Sequence, residues 1–223
     1  MKLVVFGDSH TAGSEIDNQY SLQCYEKSFV KKIADYFQCD YENYSVAGAS
    51  NCYIATEAYK YIDSHDVQDC FFFISWGAAR RATIYDYNKK DFLHINEYDI
   101  DSPYYNSQQK NFIENYFNFH LPDKEEEWKI LGTILGLYNY LCYNKINFLM
   151  QDSTQAFAHW HNKYFYKNNY FGLDDPTTYW HQYEIWRAGS KYNTDRWAKH
   201  APEQWHEIWA EKILQHIREQ QLV

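Results

Sequence analysis

The chain has 223 residues with 30 acidic and 21 basic side chains, giving a formal net charge of −9 at pH 7. That balance excludes generic binding to nucleic acid or anionic lipid, which needs a basic footprint. The length suits one large domain whose core needs no disulfide or metal, and no apolar run approaches the roughly 20 residues of a membrane span.

Lys2–Phe6 is a short apolar run and predicts a buried strand. It is too short for the core of a signal peptide and meets Gly7-Asp8 at once, so synthesis in the cytoplasm is expected. Gly7–Ser14 is a polar turn, after which Phe29, Val30, Ile33, Ala34 and Phe37 recur at helical spacing and predict a helix over about 22–37. A second strand is predicted near Tyr41–Val46, then Ala47-Gly48-Ala49-Ser50-Asn51 and a helix to about Ile62. Cys70–Trp76 is the strongest strand signal and stops at Gly77. Pro122-Asp123 followed by three glutamates predicts a helix capped by Asp123 and running to about Tyr143. Ile146–Met150 reads as another buried strand. Ala201-Pro202 opens a last helix with Trp205, Ile208, Trp209, Ile213 and Ile217 on one side.

Strands alternating with helices predict an α/β protein with a parallel sheet of four to five strands covered on both faces. The expected organisation is a single domain over 1–223 with two long aromatic insertions, at about 85–121 and 153–194, reading as packed lids. Aromatic residues make up 20% of the chain, beyond what a sheet core needs, so the remainder is expected at surfaces that hold something, with a merely biased genome composition as the alternative. The five cysteines, odd in number and without C-x-x-C spacing, read as reduced and mostly buried thiols.

Ligands of open parallel sheets bind beyond the carboxyl ends of the strands. The first strand ends in Gly7-Asp8-Ser9-His10-Thr11. A serine there can offer its hydroxyl as nucleophile and its own N–H to an oxyanion; Ser9 or Asp8 capping the turn is the structural alternative. Gly48 lets backbone approach a ligand, and Asn51 can add a side-chain donor or cap a helix. His200, just before the last helix, is placed to act as a base, with Asp195 available to hold its second ring nitrogen; His206, inside the helix, reads as a packed histidine. His10, Trp76 and Arg80 stand at the expected mouth as candidate substrate contacts, although Arg80 and Arg81 also suit pairing with the surplus carboxylates. His159, His161, His181 and His94 lack zinc-site spacing, and Gly7-x5-Gly13 lacks the Lys-Ser/Thr ending of a P-loop, so no metal or cofactor is expected.

These blocks together resemble the SGNH/GDSL hydrolases: Gly7-Asp8-Ser9-His10-Thr11 after the first strand, Ala47-Gly48-Ala49-Ser50-Asn51 after the second, and His200-Ala201-Pro202-x3-His206 at the end. The run Ile74–Arg81 is similar to SGNH-like proteins carried by tailed phages. The resemblance implies a flavodoxin-like three-layer α/β/α sandwich. It also implies a serine esterase working through an acyl-enzyme, with Ser9 as nucleophile, Ser9 and Gly48 N–H as oxyanion donors and His200 as base. Two positions depart from that pattern. Gly77-Ala78-Ala79-Arg80 lacks the family's third-block Asn, which leaves Asn51 or a lid residue to substitute. The acid expected three residues before the histidine is Trp197, with Asp195 two residues further back. An ester of a small molecule or carbohydrate is the implied substrate, with no nucleic-acid or membrane partner. A scaffold retired from catalysis, such as a phage virion or assembly component, is the rival expectation.

Overall fold

The computed structural model describes residues 1–14, 16, 24–87, 90–101, 105–118, 123–174, 178–189 and 201–223. His200 and Asp195, the expected base and acid, lie outside the described residues. Five strands form one parallel sheet: β1 (Lys2–Phe6), β2 (Asp40–Asn43), β3 (Cys70–Trp76), β6 (Asn147–Asp152) and β7 (Tyr170–Phe171), in the order β2-β1-β3-β6-β7. Between β3 and β6 in the chain, β4 (Arg81–Asp86) and β5 (Asp91–Asn96) form a separate antiparallel hairpin.

The helices are α1 (Phe29–Phe37), α2 (Asn51–Ser64), α3 (Ser107–Asn118), α4 (Asp123–Tyr143), α5 (Phe157–Trp160), α6 (Tyr179–Gly189) and α7 (Glu203–Gln220). Side chains alternate across a strand, so each sheet strand feeds two cores. Val4, Phe6, Phe72, Ile74, Trp76, Phe148 and Met150 pack with α2 and α4. Leu3, Val5, Phe71, Phe73 and Leu149 pack on the other face with α1, α6 and α7. This is the α/β/α sandwich expected of a flavodoxin-like fold, with the strand-order switch where β1 sends the chain to β2 on one side and β3 on the other.

Several boundaries move for local reasons. The helix predicted from about residue 22 begins only at Phe29, because Ser28 is extended and its side chain caps the Lys31 N–H. Asp123, expected as a cap, is already inside α4. Ile208 is 37% exposed and leaves the predicted apolar side of α7, since it sits one residue, about 100°, off Trp209. Only Cys70 of the five cysteines is buried, and Cys52 is exposed. Much of the aromatic surplus goes into the core, where Trp76, Trp205, Trp209, Tyr138, Tyr170 and Tyr179 are fully enclosed.

The two long aromatic segments expected as insertions hold more structure than loops. In the first, the hairpin buries Ala82 and Ile95 against Ile113 and Phe117 of α3, a small core of its own. The second supplies α5, α6 and the two-residue strand β7, paired to β6 at Met150–Tyr170 and Gln151–Phe171.

Candidate functional site

The loops after β1 and β2 leave the sheet side by side, because the ladder continues past both strands: Tyr44 N–H donates to Val5 O at 2.8 Å and Val46 N–H to Gly7 O at 3.1 Å. After β1 the chain makes one helical turn, with Ala12 N–H on Asp8 O at 2.9 Å and Ser14 N–H on Ser9 O at 2.9 Å. Ser9 is therefore held at the carboxyl edge of the sheet. It is 5% exposed, and among the described residues neither its hydroxyl nor its N–H has a hydrogen-bond partner. After β2, Ala49 N–H closes a turn on Val46 O at 3.1 Å, and Gly48 takes φ +78. A side chain at Gly48 would be strained, and its Cβ would come within 3.2 Å of His94 Cβ. The Gly48 N–H likewise donates to no described residue.

Beneath Ser9, Asp8 is wholly buried. Its Oδ1 accepts from His10 N–H at 3.1 Å and Ser153 Oγ at 3.1 Å, and its Oδ2 from Arg81 at 2.9 Å. Burial by itself would raise this carboxyl; the charges of His10 and Arg81, with the Arg81 and Ser153 hydrogen bonds, hold it below the usual carboxylate range. Asp8 and Ser153 lie just past the ends of β1 and β6 and Arg81 opens β4, so the ion pair and the Ser153 hydrogen bond together tie two sheet-strand ends to the start of the hairpin. Gly77 makes room for the ion pair: a Cβ there would lie 2.8 Å from the Arg81 guanidinium.

Asn51 has a different job from the oxyanion donor expected of it. Its Oδ1 accepts from Gly77 N–H at 2.8 Å and its Nδ2 donates to Gly77 O at 3.2 Å, which fixes the β3 exit loop against the start of α2. Trp76, expected to touch substrate, has no exposed surface and belongs to the α2/α4 core. His10, also expected there, is 5% exposed and packs between Tyr179 and Trp180 at ring distances of 5.0 and 5.2 Å. Arg80 is drawn to Glu97 at 2.8 Å, the surface pairing its alternative reading allowed, whereas Arg81 pairs inside with Asp8. His206 is a structural residue: Nδ1 accepts from Phe29 N–H at 3.1 Å and Nε2 lies 3.1 Å from Tyr179 Oη, so the imidazole joins α7 to the first turn of α1.

Sequence reasoning missed Ser153, Gln155, whose Oε1 accepts from Ala79 N–H at 2.7 Å, and Asp152. Being polar residues at the end of a buried strand was the only signal they carried. Asp152 is enclosed and receives hydrogen bonds from Tyr170 Oη at 2.6 Å and Ala158 N–H at 3.0 Å. Burial pushes its carboxyl up to about 7, against the smaller opposing effect of those two donors. The folded protein thus holds a proton on Asp152 that the unfolded chain releases near pH 4, so this residue costs stability increasingly as pH rises from about 4 to 7. Asp152→Asn removes the ionisable group, keeps an amide oxygen as acceptor for Ala158 N–H, and reverses the bond to Tyr170, whose hydroxyl oxygen would accept from Nδ2–H. Thermal melts should show it stabilised at pH 8 by up to roughly 3 kcal/mol relative to wild type and close to wild type at pH 4.

No protein-family model and no curated protein sequence matches the chain. Solved structures do. The acetyl xylan esterase AlAXEase aligns over 97% of this chain and 100% of its own at 11% identity and a TM-score of 0.54. TesA aligns over 99% of both chains at 10% identity and a TM-score of 0.53. A protein of the G-D-S-L family from Desulfitobacterium hafniense DCB-2 aligns over 96% of this chain and 98% of its own at 13% identity and a TM-score of 0.51.

The chain has the SGNH-hydrolase fold. At these identities the likeness is one of fold. It runs the length of this chain. Gly77-Ala78-Ala79-Arg80, where the resemblance implies an Asn side chain, follows β3 without one, and the hairpin β4–β5 begins directly after it and brings His94 against the Gly48 turn.

Proposed function

We propose that this protein is a serine ester hydrolase acting through an acyl-enzyme. The observation that carries the reading is Ser9 itself: a hydroxyl without an internal partner, whose own N–H and that of Gly48, on the adjoining loop, are also uncommitted among the described residues. Buried backbone donors are otherwise nearly always paired, so open ones beside an open hydroxyl suit an oxyanion that forms only with substrate. In the proposed reaction Ser9 Oγ attacks the ester carbonyl carbon and its proton passes to His200. The negative carbonyl oxygen takes the Ser9 and Gly48 N–H groups, and the alcohol leaves carrying the proton from His200. Water then attacks the acyl-enzyme, releasing the acid and restoring Ser9. Asp195 is the proposed orienter of His200.

An acetyl ester on a sugar is the proposed substrate class. Tyr85 and Phe92, each 41% exposed, pair across the hairpin with ring centroids 5.4 Å apart, on the same strand face as His94. Exposed aromatic faces suit the C–H faces of a pyranose, and the similarity in fold to an acetyl xylan esterase points the same way. A second reading, a binding module on a retired SGNH scaffold such as the phage-carried proteins the sequence resembles, is favoured by one observation: with Ala at 79 and Asn51 tied to Gly77, neither residue supplies the expected third donor. A fluorophosphonate probe separates the two. The hydrolase is expected to take one label, mapped by mass spectrometry to Ser9; an unlabelled, folded protein establishes the retired scaffold instead.

A further inference from the structure

The hairpin β4–β5 presents opposite faces to different neighbours. Ala82 and Ile95 turn into the small core with α3, while Thr83 and His94, directly paired across the strands, turn toward the Gly48 turn and the start of α2. His94 packs with its ring edge-on to Tyr53, centroids 4.8 Å apart, and its Cβ is the atom nearest to where a Gly48 side chain would project. Its orientation is chemically fixed. Ser50 N–H donates to Thr83 Oγ1 at 3.3 Å, and Thr83 Oγ1 lies 2.8 Å from His94 Nδ1. Among the described residues Thr83 has no other acceptor for its hydroxyl proton, so that proton goes to Nδ1 and the imidazole proton sits on Nε2. The Nε2–H donates to no described residue. Burial holds the ring below the ordinary histidine range, with Asp91 opposing and Arg81 reinforcing, so it is neutral at pH 7.

A neutral imidazole, oriented by a relay from the backbone, half-buried, with its Cβ beside the Gly48 turn and its Nε2–H uncommitted among the described residues, is built to donate to an oxygen that arrives with a ligand. We propose that His94 is the third hydrogen-bond donor of the site, its Nε2–H binding the carbonyl oxygen of the ester as negative charge develops on it. The hairpin then supplies what Ala79 and Asn51 do not. This assignment rests on the reading of Ser9 as nucleophile and Gly48 as donor.

Three readouts test it together. His94→Phe, which keeps an aromatic ring against Tyr53 but cannot donate, is expected to lower kcat for 4-nitrophenyl acetate by about 100-fold with KM within about twofold, the loss typical of one oxyanion donor. His94→Gln restores a donor and is expected to regain about tenfold of that loss. In 15N-labelled wild type, the His94 Nε2–H proton is expected to move downfield when a fluorophosphonate occupies Ser9, a measurement that stands even if the Phe variant fails to fold. A labelled Ser9 with an unmoved Nε2–H resonance, or His94→Phe retaining kcat within threefold, overturns the role of His94 alone. Wild type that takes no label overturns the serine mechanism and this donor with it.

Discussion

Ser9→Ala is expected to lower turnover of a small acetyl ester by on the order of 10⁴-fold or more, with KM little changed. The reasoning is local. The substitution removes one oxygen that bonds to no described residue, and it leaves the 2.9 Å Ser14 N–H to Ser9 O bond that shapes the turn intact. Stability should therefore stay within about 0.5 kcal/mol of wild type, since no buried partner is orphaned. The backbone donors at positions 9 and 48 survive, so some rate above the uncatalysed reaction should remain. Steady-state kinetics beside a thermal melt check both halves. Unchanged turnover in a folded variant would remove Ser9 from the chemistry.

Arg81→Met should cost about 3–5 kcal/mol, the typical loss on stripping one partner from a buried ion pair. Asp8 has no exposure and the Arg81 side chain only 14%, so the carboxylate left behind cannot be rescued by water. For a chain of this size that corresponds to a fall in melting temperature on the order of 10 °C. In wild type the depressed carboxyl means that the pair stabilises the fold fully above about pH 4, and this contribution is lost as pH falls through the folded value. Adding Asp8→Asn to Arg81→Met should recover part of the loss, because an amide leaves no unpaired charge. A single variant melting within 2 °C of wild type would show that the pair does not hold the end of β1 to the hairpin.

What the sequence disclosed followed from how local each signal is. The contiguous apolar runs of β1 and β3 are legible because a doubly covered strand must be apolar on both faces. Strand β7 is not: it has two residues, and only the edge of β6 makes it a strand. The turns that hold Ser9 and Gly48 could be read because the chemistry of each is written in the few residues around it. The partnership of Asp8 with Arg81 spans 73 positions, and which arginine turned inward depended on the close approach that Gly77 allows. Asn51 was misjudged because its partner is the backbone of Gly77, 26 residues away, and backbone acceptors leave no mark in a sequence. The same blindness hid His94, whose meaning depends on the pairing of its strand with Thr83.

The bond from Phe29 N–H to His206 carries a consequence for how the molecule is made. It joins positions 177 apart, and the α7 side of the sheet is closed by Trp205, Trp209, Ile213 and Ile217, all more than 160 positions after α1. During synthesis, at roughly 5–20 residues per second, the early strands and α1 emerge well before the segment that shields them. A ribosome stalled before residue 203 would carry a nascent chain with one greasy flank bare. That flank is where a chaperone would be expected to hold it.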